Sequence, residues 1–158
     1  MRVVRLCRRA FPNLDGVGSS ISGGRWNSPG NKIVYTASCG ALAVLEYRVS
    51  VNKTMPKDLL LLLIEVPNTL EIESSTWHPS DVTTSRRIGD EWLKSKSTAV
   101  LRVPSVLVPR QTNYLLNPEH PLFGSIQVVE KEPFILTAVC WQVSSRYFSH
   151  TRPHPFQA

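Results

Sequence analysis

Short apolar runs bounded by turn residues predict several β-strands in this chain. Residues 59–66 are apolar except for Glu65, and a run of this length is typical of a buried strand. Less regular patterns predict four more strands, at residues 32–36, 98–108 with an interruption at Pro104, 124–129 and 133–139. Residues 12–31 are rich in glycine, proline, asparagine and serine, which predicts a long loop of consecutive turns.

Two segments have helical periodicity. The first runs from a predicted N-cap at Ser38 to about Ser50, and the second runs from Thr84 to Lys96. The side chains expected along one side of the second helix are Ile88, Glu91, Trp92 and Ser95. Strands mixed with two modest helices, without regular βαβ alternation, predict an α+β or mixed α/β fold. The length of 158 residues indicates one compact domain with a full hydrophobic core.

The composition is that of an ordinary globular protein, with 42% apolar and 19% charged residues. The 12 prolines favour loops and strand ends over a helical bundle. The longest aliphatic run, residues 59–64, is far shorter than the roughly 18–20 residues of a membrane-spanning helix. No apolar run of signal-peptide length follows the basic N-terminus. We therefore expect a cytoplasmic protein without a membrane span.

The net charge is +6, and much of the excess lies at the two ends of the chain. The first ten residues hold four arginines, residues 137–158 hold two, and neither segment contains an acid. A basic balance favours anionic partners such as nucleic acid, a nucleotide phosphate or an acidic protein. Because no block of five like charges and no basic stripe with interleaved aromatic residues is present, we expect no direct nucleic-acid binding.

Cysteine and histidine spacing argues against a disulfide framework and against a metal site. Cys7, Cys39 and Cys140 are odd in number and far apart, which is typical of free thiols in a reducing compartment. His78 and His120 are also distant, with no ligand spacing nearby. The sequence therefore predicts no bound metal.

Glu46 is a polar residue in an unexpected position of the first predicted helix. At roughly 100° per residue, Ala41, Leu45 and Val49 form an apolar stripe with Leu42, and Glu46 falls about 40° from Leu42, at its margin. A carboxylate there is costly unless it is paired or functional. Two interpretations stay open: a boundary glutamate that reaches water or an arginine, and a glutamate at the floor of a pocket.

The segment Gly-Gly-Arg-Trp-Asn, residues 23–27, is the second unusual feature. Its glycines allow a tight turn close to a ligand, Arg25 offers a planar set of donors for phosphate or carboxylate, and Trp26 offers a stacking face. A surface loop with a packed tryptophan is the alternative. Ser105, in Val-Pro-Ser-Val, is more typical of a hydrogen-bonded core serine than of a nucleophile.

Several ordered motifs together resemble one known family. Arg25 lies in Gly-Gly-Arg-Trp-Asn-Ser-Pro-Gly, Glu46 in Ala-Leu-Ala-Val-Leu-Glu, and Ser105 in Leu-Arg-Val-Pro-Ser-Val-Leu-Val-Pro. Further matching segments are Val-Tyr-Thr-Ala around Tyr35, residues 88–93 and residues 113–121. This pattern resembles the RES family, the toxin half of RES–Xre toxin–antitoxin pairs, over about residues 3–134.

The C-terminal segment departs from the family pattern. Residues 133–136 begin the strand with which the family usually closes, but residues 137–158 do not match it. We therefore divide the chain into a RES domain at residues 1–136 and an atypical tail at 137–158. Disorder and an altered reading of the gene's end both remain open for the tail.

The resemblance implies a compact relative of ADP-ribosyltransferases, with a mixed sheet whose cleft binds NAD+. The implied reaction breaks the bond between nicotinamide and ribose, by hydrolysis or phosphorolysis, and arrests growth. An Xre-type helix-turn-helix antitoxin is the implied partner, and operator DNA is reached through that antitoxin. Two alternatives stay open: transfer of ADP-ribose to a protein, and a degenerate module that binds the antitoxin without catalysis.

The resemblance also implies roles for individual side chains. Arg25 would hold the phosphates or the adjoining ribose of NAD+, and Tyr35 would stack on the nicotinamide. Glu46 would bind the ribose hydroxyls and offset the positive charge of the transition state, with Ser105 orienting Glu46 or the carboxamide. Further candidates for lining the cleft are Trp26, Asn27 and Asn117.

Overall fold

The computed structural model describes residues 1–51, 56–77 and 80–137. The seven strands in these ranges are β1 (Arg2–Arg8), β2 (Val34–Ala37), β3 (Leu59–Glu65), β4 (Ile72–Ser74), β5 (Val100–Pro104), β6 (Thr112–Leu116) and β7 (Gln127–Phe134). The helices are α1 (Val17–Ser22), α2 (Gly40–Ser50) and α3 (Val82–Ser95), with a short 3₁₀ helix at Phe123–Ser125. Residues 138–158, including most of the atypical tail and Cys140, lie outside the described residues, as does His78.

The seven strands form one mixed sheet in the order β4-β5-β6-β2-β1-β3-β7. Neighbouring strands are antiparallel except for β4 and β5, which are parallel. The expected mixed α/β domain is thereby confirmed. No helix in the part of the chain that the structure describes is long and apolar enough to cross a membrane.

The pairing between β1 and β2 is unusually short. β1 pairs with β3 at seven positions, from Arg2↔Glu65 to Arg8↔Leu59, whereas β1 and β2 pair at Val4↔Ala37. β2 in turn pairs with β6 at four positions. The sheet is therefore firmly paired on both sides of this junction, while the two strands part at the junction itself.

The strand predictions are confirmed in part. β3 occupies almost all of residues 59–66, and β2 overlaps residues 32–36. Neither β1 nor β6 was predicted, although they flank β2 near the middle of the sheet. The two strands expected at 124–129 and 133–139 are replaced by β7, which runs through Pro133. Proline is tolerated there because β7 lies at the edge of the sheet and pairs with β3 alone.

The helix boundaries differ slightly from those predicted. α3 begins two residues before Thr84, because the Asp81 side chain caps it by accepting hydrogen bonds from the Thr83 and Thr84 amides. The Thr84 hydroxyl also donates to the Asp81 carboxylate. This bond, followed by the two amide bonds, holds the pKa of Asp81 below its usual value. α2 begins after Cys39 rather than after Ser38. The predicted loop at 12–31 contains the single-turn helix α1.

The apolar stripe expected on α2 is wrong. Leu45 and Val49 are 47% and 66% exposed, whereas Leu42 and Ala43 are buried against β1, β2 and β3. α2 is apolar on nearly every side, so periodicity could not identify the side that faces the sheet. On the helix wheel Glu46 falls between Leu42 and Ala43, at about 40°. It therefore lies within the sheet-facing sector rather than at the margin of a stripe.

α3 packs against the loop that carries the Gly-Gly-Arg-Trp-Asn segment. Trp26 and Trp92 are both buried in a cluster with residues of β5 and β6. Gly89 lies directly against the Trp26 backbone, where a Cβ atom would overlap the Trp26 carbonyl oxygen. This close approach fixes the loop to the helix.

We expect Gly89→Ala to destabilise the protein, although alanine is normally favoured over glycine inside a helix by about 1 kcal/mol. The added methyl group must displace backbone, which costs roughly 1–3 kcal/mol. Urea unfolding measures the change. The matched control is Gly40→Ala in α2, where an added Cβ atom would have no neighbour within 4 Å. Equal stability of the two variants would contradict the packing described for Gly89.

Candidate functional site

A cleft of about 420 Å³ opens where β1 and β2 part. Its walls come from α2, from the middle of β1, from β2, and from the loop at residues 23–25. Arg25, Tyr35 and Glu46, which are distant along the chain, all line it. A volume of this size is within the range of about 300–1,000 Å³ found for small-molecule sites. The structure therefore brings three of the predicted site residues together around one cavity.

Glu46 is held by two hydrogen bonds to the same carboxylate oxygen. Its Oε1 accepts from Ser105 Oγ at 2.7 Å and from Asn113 Nδ2 at 2.6 Å. Bonds to an ionised acceptor are short and roughly twice as strong as those between neutral groups. Among the described residues, none donates a hydrogen bond to the second oxygen, Oε2. The protein therefore orients the carboxylate through Oε1.

Ser105 is buried directly after β5, and its hydroxyl is fully used. The Oγ atom accepts hydrogen bonds from the amides of Leu107 and Val108, both at 3.1 Å. Its proton is therefore directed to Glu46. This geometry is that of a supporting residue and agrees with a serine that orients Glu46.

Tyr35 has its ring in the cleft and its hydroxyl fixed beneath the loop. The hydroxyl donates to Asn27 Oδ1 at 2.7 Å and accepts from the Trp26 amide at 3.0 Å. Burial raises the pKa of Tyr35 above its ordinary value, which keeps the phenol neutral. Gly24 packs against the same hydroxyl, where a Cβ would lie 2.5 Å away. The second glycine of the loop is therefore required by this contact.

Asn27 and Trp26 support the loop and do not line the cleft. Asn27 is fully buried, and its Nδ2 donates to the carbonyls of Ser19 and Asn31 at 3.0 and 2.8 Å. Trp26 is buried between α3 and the sheet. Both side chains fix the backbone that presents Arg25, which is a different role from the direct ligand contact expected for them.

Asn117 is not brought to the cleft. Its side chain is fully buried after β6, where Oδ1 accepts from the Glu119 amide at 3.0 Å and Nδ2 reaches the Leu93 carbonyl at 3.4 Å. The expectation that Asn117 lines the cleft does not match this position. The residue instead closes a turn, as buried asparagines often do.

Two residues that the sequence reasoning did not propose also belong to the site. Arg5, on β1, lines the cleft and donates from Nη1 to the Asn13 carbonyl at 2.8 Å. Burial lowers the pKa of Arg5, while Cys7 and Asp15 act in the opposite direction. Asn113 lines the cleft beside Glu46. The available signal for Asn113 was its place at the start of the motif at residues 113–121. Arg5 could be placed only once β1 was recognised.

The described residues that line the cleft thus include two guanidinium groups and one carboxylate. Arg5 and Arg25 provide donors for an anionic group, and Glu46 provides an acceptor for hydroxyl groups or a partner for positive charge. Among the described residues, no group of three or more histidine, cysteine, aspartate or glutamate side chains is placed to hold a metal ion.

A larger but more open depression of about 660 Å³ lies between α3 and residues 73–77. Its described lining residues include Glu73 and Glu91 but no lysine or arginine, and none of the predicted site residues. The convergence of polar groups, rather than volume, favours the cleft beside α2 as the candidate site.

We expect Tyr35→Phe to destabilise the loop at residues 23–27. It removes a donor and an acceptor from buried partners, at a cost of about 1–3 kcal/mol for each group left unsatisfied. Tyr114→Phe is the matched control, because the Tyr114 hydroxyl has no hydrogen bond within the described ranges. Urea unfolding and amide hydrogen exchange at Trp26 measure the effect. Equal losses in both variants would contradict the role assigned to the Tyr35 hydroxyl.

Comparison with known proteins finds relatives of this chain. The RES domain family matches residues 2–137. The Prs ADP-ribosylating toxin of Sphingobium sp. (strain YBL2) is 41% identical over 120 residues, covering 69% of this chain and 74% of that protein. A protein named Toxin Res from Yersinia enterocolitica is 39% identical over 134 residues, covering 78% and 88%.

A solved structure shares the fold. The toxin–antitoxin complex MbcT–MbcA of M. tuberculosis contains a chain that matches with a TM-score of 0.68 and 16% identity, covering 85% of this chain and 84% of that chain. The family match spans nearly all the described residues, including both walls of the cleft. This chain belongs to the RES domain family.

Proposed function

We propose that this protein is the toxin of a toxin–antitoxin pair and that it cleaves NAD+ between nicotinamide and ribose. The observation that supports this proposal best is the convergence of Arg25, Tyr35 and Glu46 on one cleft. A dinucleotide with an anionic pyrophosphate and a cationic pyridinium ring has a chemical partner for each of these side chains. The relatives named as toxins support the same assignment.

Binding is assigned to side chains that line the cleft. Arg25 would contact the pyrophosphate or the adjoining ribose, and Arg5 on β1 would provide a second cation. Tyr35 offers a neutral aromatic face to the nicotinamide ring, because its hydroxyl is held by Asn27 and the Trp26 amide. A ligand held at both ends is restricted in the orientation of its scissile bond, which lowers the entropic part of the barrier.

Cleavage needs little proton transfer. The bond between ribose C1′ and the nicotinamide nitrogen breaks, its electron pair goes to that nitrogen, and neutral nicotinamide leaves without a general acid. The ribose gains oxocarbenium character, as in glycoside cleavage. Glu46, with Oε1 held by Ser105 and Asn113, directs Oε2 to the ribose hydroxyls and offsets this charge. Water or phosphate then adds at C1′ and loses a proton.

The name of one relative favours a protein, rather than water or phosphate, as the acceptor of the ADP-ribose group. The Sphingobium protein is named an ADP-ribosylating toxin, so transfer of ADP-ribose from NAD+ to a protein is the alternative for the same site. Bond cleavage is common to both reactions, and the acceptor alone differs. A non-catalytic module that only binds an antitoxin is the third interpretation.

We also propose that an antitoxin of the Xre type controls the protein in the cytoplasm. The solved structure that shares the fold of this chain is a toxin–antitoxin complex. We infer the pairing with an antitoxin from this shared fold. Operator DNA would be bound by the antitoxin. The tail from residue 137, which departs from the family pattern, is proposed to lie outside the RES domain.

Substituting Glu46 by glutamine should lower nicotinamide release by about 100-fold or more while the fold is kept. The amide removes the negative charge that offsets the transition state, and losses of one such group are on the order of 10²–10³. Free nicotinamide is followed with purified protein and NAD+, with and without phosphate. Glu65→Gln, at an exposed position that ends β3, is the control.

The same reaction mixtures separate the three interpretations. Nicotinamide release with free ADP-ribose or its 1-phosphate supports hydrolysis or phosphorolysis, and labelled ADP-ribose on a protein band supports the transferase. Absence of nicotinamide release by the wild-type protein, with candidate acceptor proteins present, would leave the binding module. Wild-type turnover by Glu46→Gln would remove Glu46 from the mechanism.

Arg25→Lys should raise the KM for NAD+ by about tenfold or more. A lysine keeps the charge but loses the planar pair of donors, and hydrogen bonds to charged groups are worth roughly 1.5–3 kcal/mol. Arg102→Lys, on the exposed side of β5, is the matched control and should leave KM unchanged. An unchanged KM in Arg25→Lys would contradict phosphate or ribose binding by Arg25.

A further inference from the structure

Asn113 occupies a position in β6 that does not suit an asparagine. It pairs with Ala37 of β2 on one side and with Val103 of β5 on the other. Asparagine is depleted in strands, where β-branched and aromatic side chains pack better. The packing of the sheet therefore provides no reason for an amide here.

The carbonyl end of the Asn113 side chain makes asparagine still less favourable for the stability of the fold at this position. Its Oδ1 atom is buried and accepts no hydrogen bond within the described ranges. A buried acceptor left without a partner destabilises the folded state. An apolar residue of similar shape would avoid this loss, so stability alone would not select asparagine.

The amide end has a defined partner in the cleft. Asn113 Nδ2 donates to Glu46 Oε1 at 2.6 Å, and Ser105 Oγ donates to the same oxygen at 2.7 Å. The two donors come from separate positions, one in β6 and one after β5, and both positions are held by the sheet. Two donors on one oxygen fix the rotation of the carboxylate and determine which oxygen faces a ligand.

We propose that Asn113 is a positioning residue that orients Glu46 for the reaction and contributes little to the fold. This inference rests on the proposed cleavage of NAD+. Ser105 and Asn113 together occupy Oε1, so Oε2 is the acceptor that meets the ribose. Loss of Asn113 lets the carboxylate rotate while the groups that bind the rest of the dinucleotide stay in place.

The test compares Asn113→Leu with the wild-type protein. Leucine removes the donor and the unsatisfied acceptor together, so the Tm should stay equal or rise. The kcat for nicotinamide release should fall at least tenfold, since small misplacements of a reacting group cost about that much or more. The KM should stay within about twofold. Asn113→Ala provides a second variant if leucine does not fold.

The matched control is Thr98→Val, which alters another buried polar side chain of the sheet region. Thr98 accepts from Trp92 Nε1 at 3.0 Å and lies outside the lining of the cleft. Loss of the Thr98 hydroxyl should lower the Tm and leave the kcat per folded molecule unchanged. The opposite pattern at Asn113, with a lower Tm and an unchanged kcat, would overturn the proposal.

A spectroscopic measurement tests the contact without turnover. The Nδ2 protons of Asn113 should give a downfield side-chain amide signal in ¹H–¹⁵N spectra, because one of them is bonded to a carboxylate at 2.6 Å. Glu46→Ala should move that signal upfield. A signal that does not move overturns the positioning role. If the signal moves in Glu46→Ala as expected but the wild-type protein releases no nicotinamide, the proposed function is overturned and the positioning contact is not.

Discussion

The parting of β1 from β2 is the constraint on which the candidate site depends. β1 is held along its whole length by β3, and β2 is held by β6, while the two strands meet at Val4↔Ala37. A full ladder between them would close the sheet and fill the space with cross-strand pairs. Because each strand is anchored on its other side, the gap is kept open without loose backbone.

Two polar networks keep the opposite walls of this gap in place. On one wall, the Tyr35 hydroxyl and Asn27 fix the loop that carries Arg25. On the other wall, Ser105 and Asn113 fix the carboxylate of Glu46. Both networks form within the protein, so the Glu46 carboxylate and the Tyr35 hydroxyl are oriented before a ligand binds. Preorganisation of this kind lowers the cost of reaching a charged transition state.

Charge in the cleft is more informative than charge on the whole chain. The net charge of +6 is compatible with many anionic partners. The lining of the cleft restricts the kinds of ligand that fit, because Arg5 and Arg25 line it together with the oriented carboxylate of Glu46. A ligand that carries both an anionic group and a centre of developing positive charge matches this distribution, and NAD+ is such a ligand.

The class of fold could be predicted from the sequence, and so could Arg25, Tyr35 and Glu46 as candidate site residues, because each lies in a recognisable local motif. The sequence did not predict β1, because arginines interrupt its apolar residues and leave no strict alternation. The wrong side of α2 was expected to face the sheet, because that helix is apolar on nearly all sides. The contact of Asn113 with Glu46, and the distance of Asn117 from the cleft, became visible only in the folded chain. The physical reason is that strand order and register bring together residues far apart in sequence, and no local pattern of the chain records which strands become neighbours.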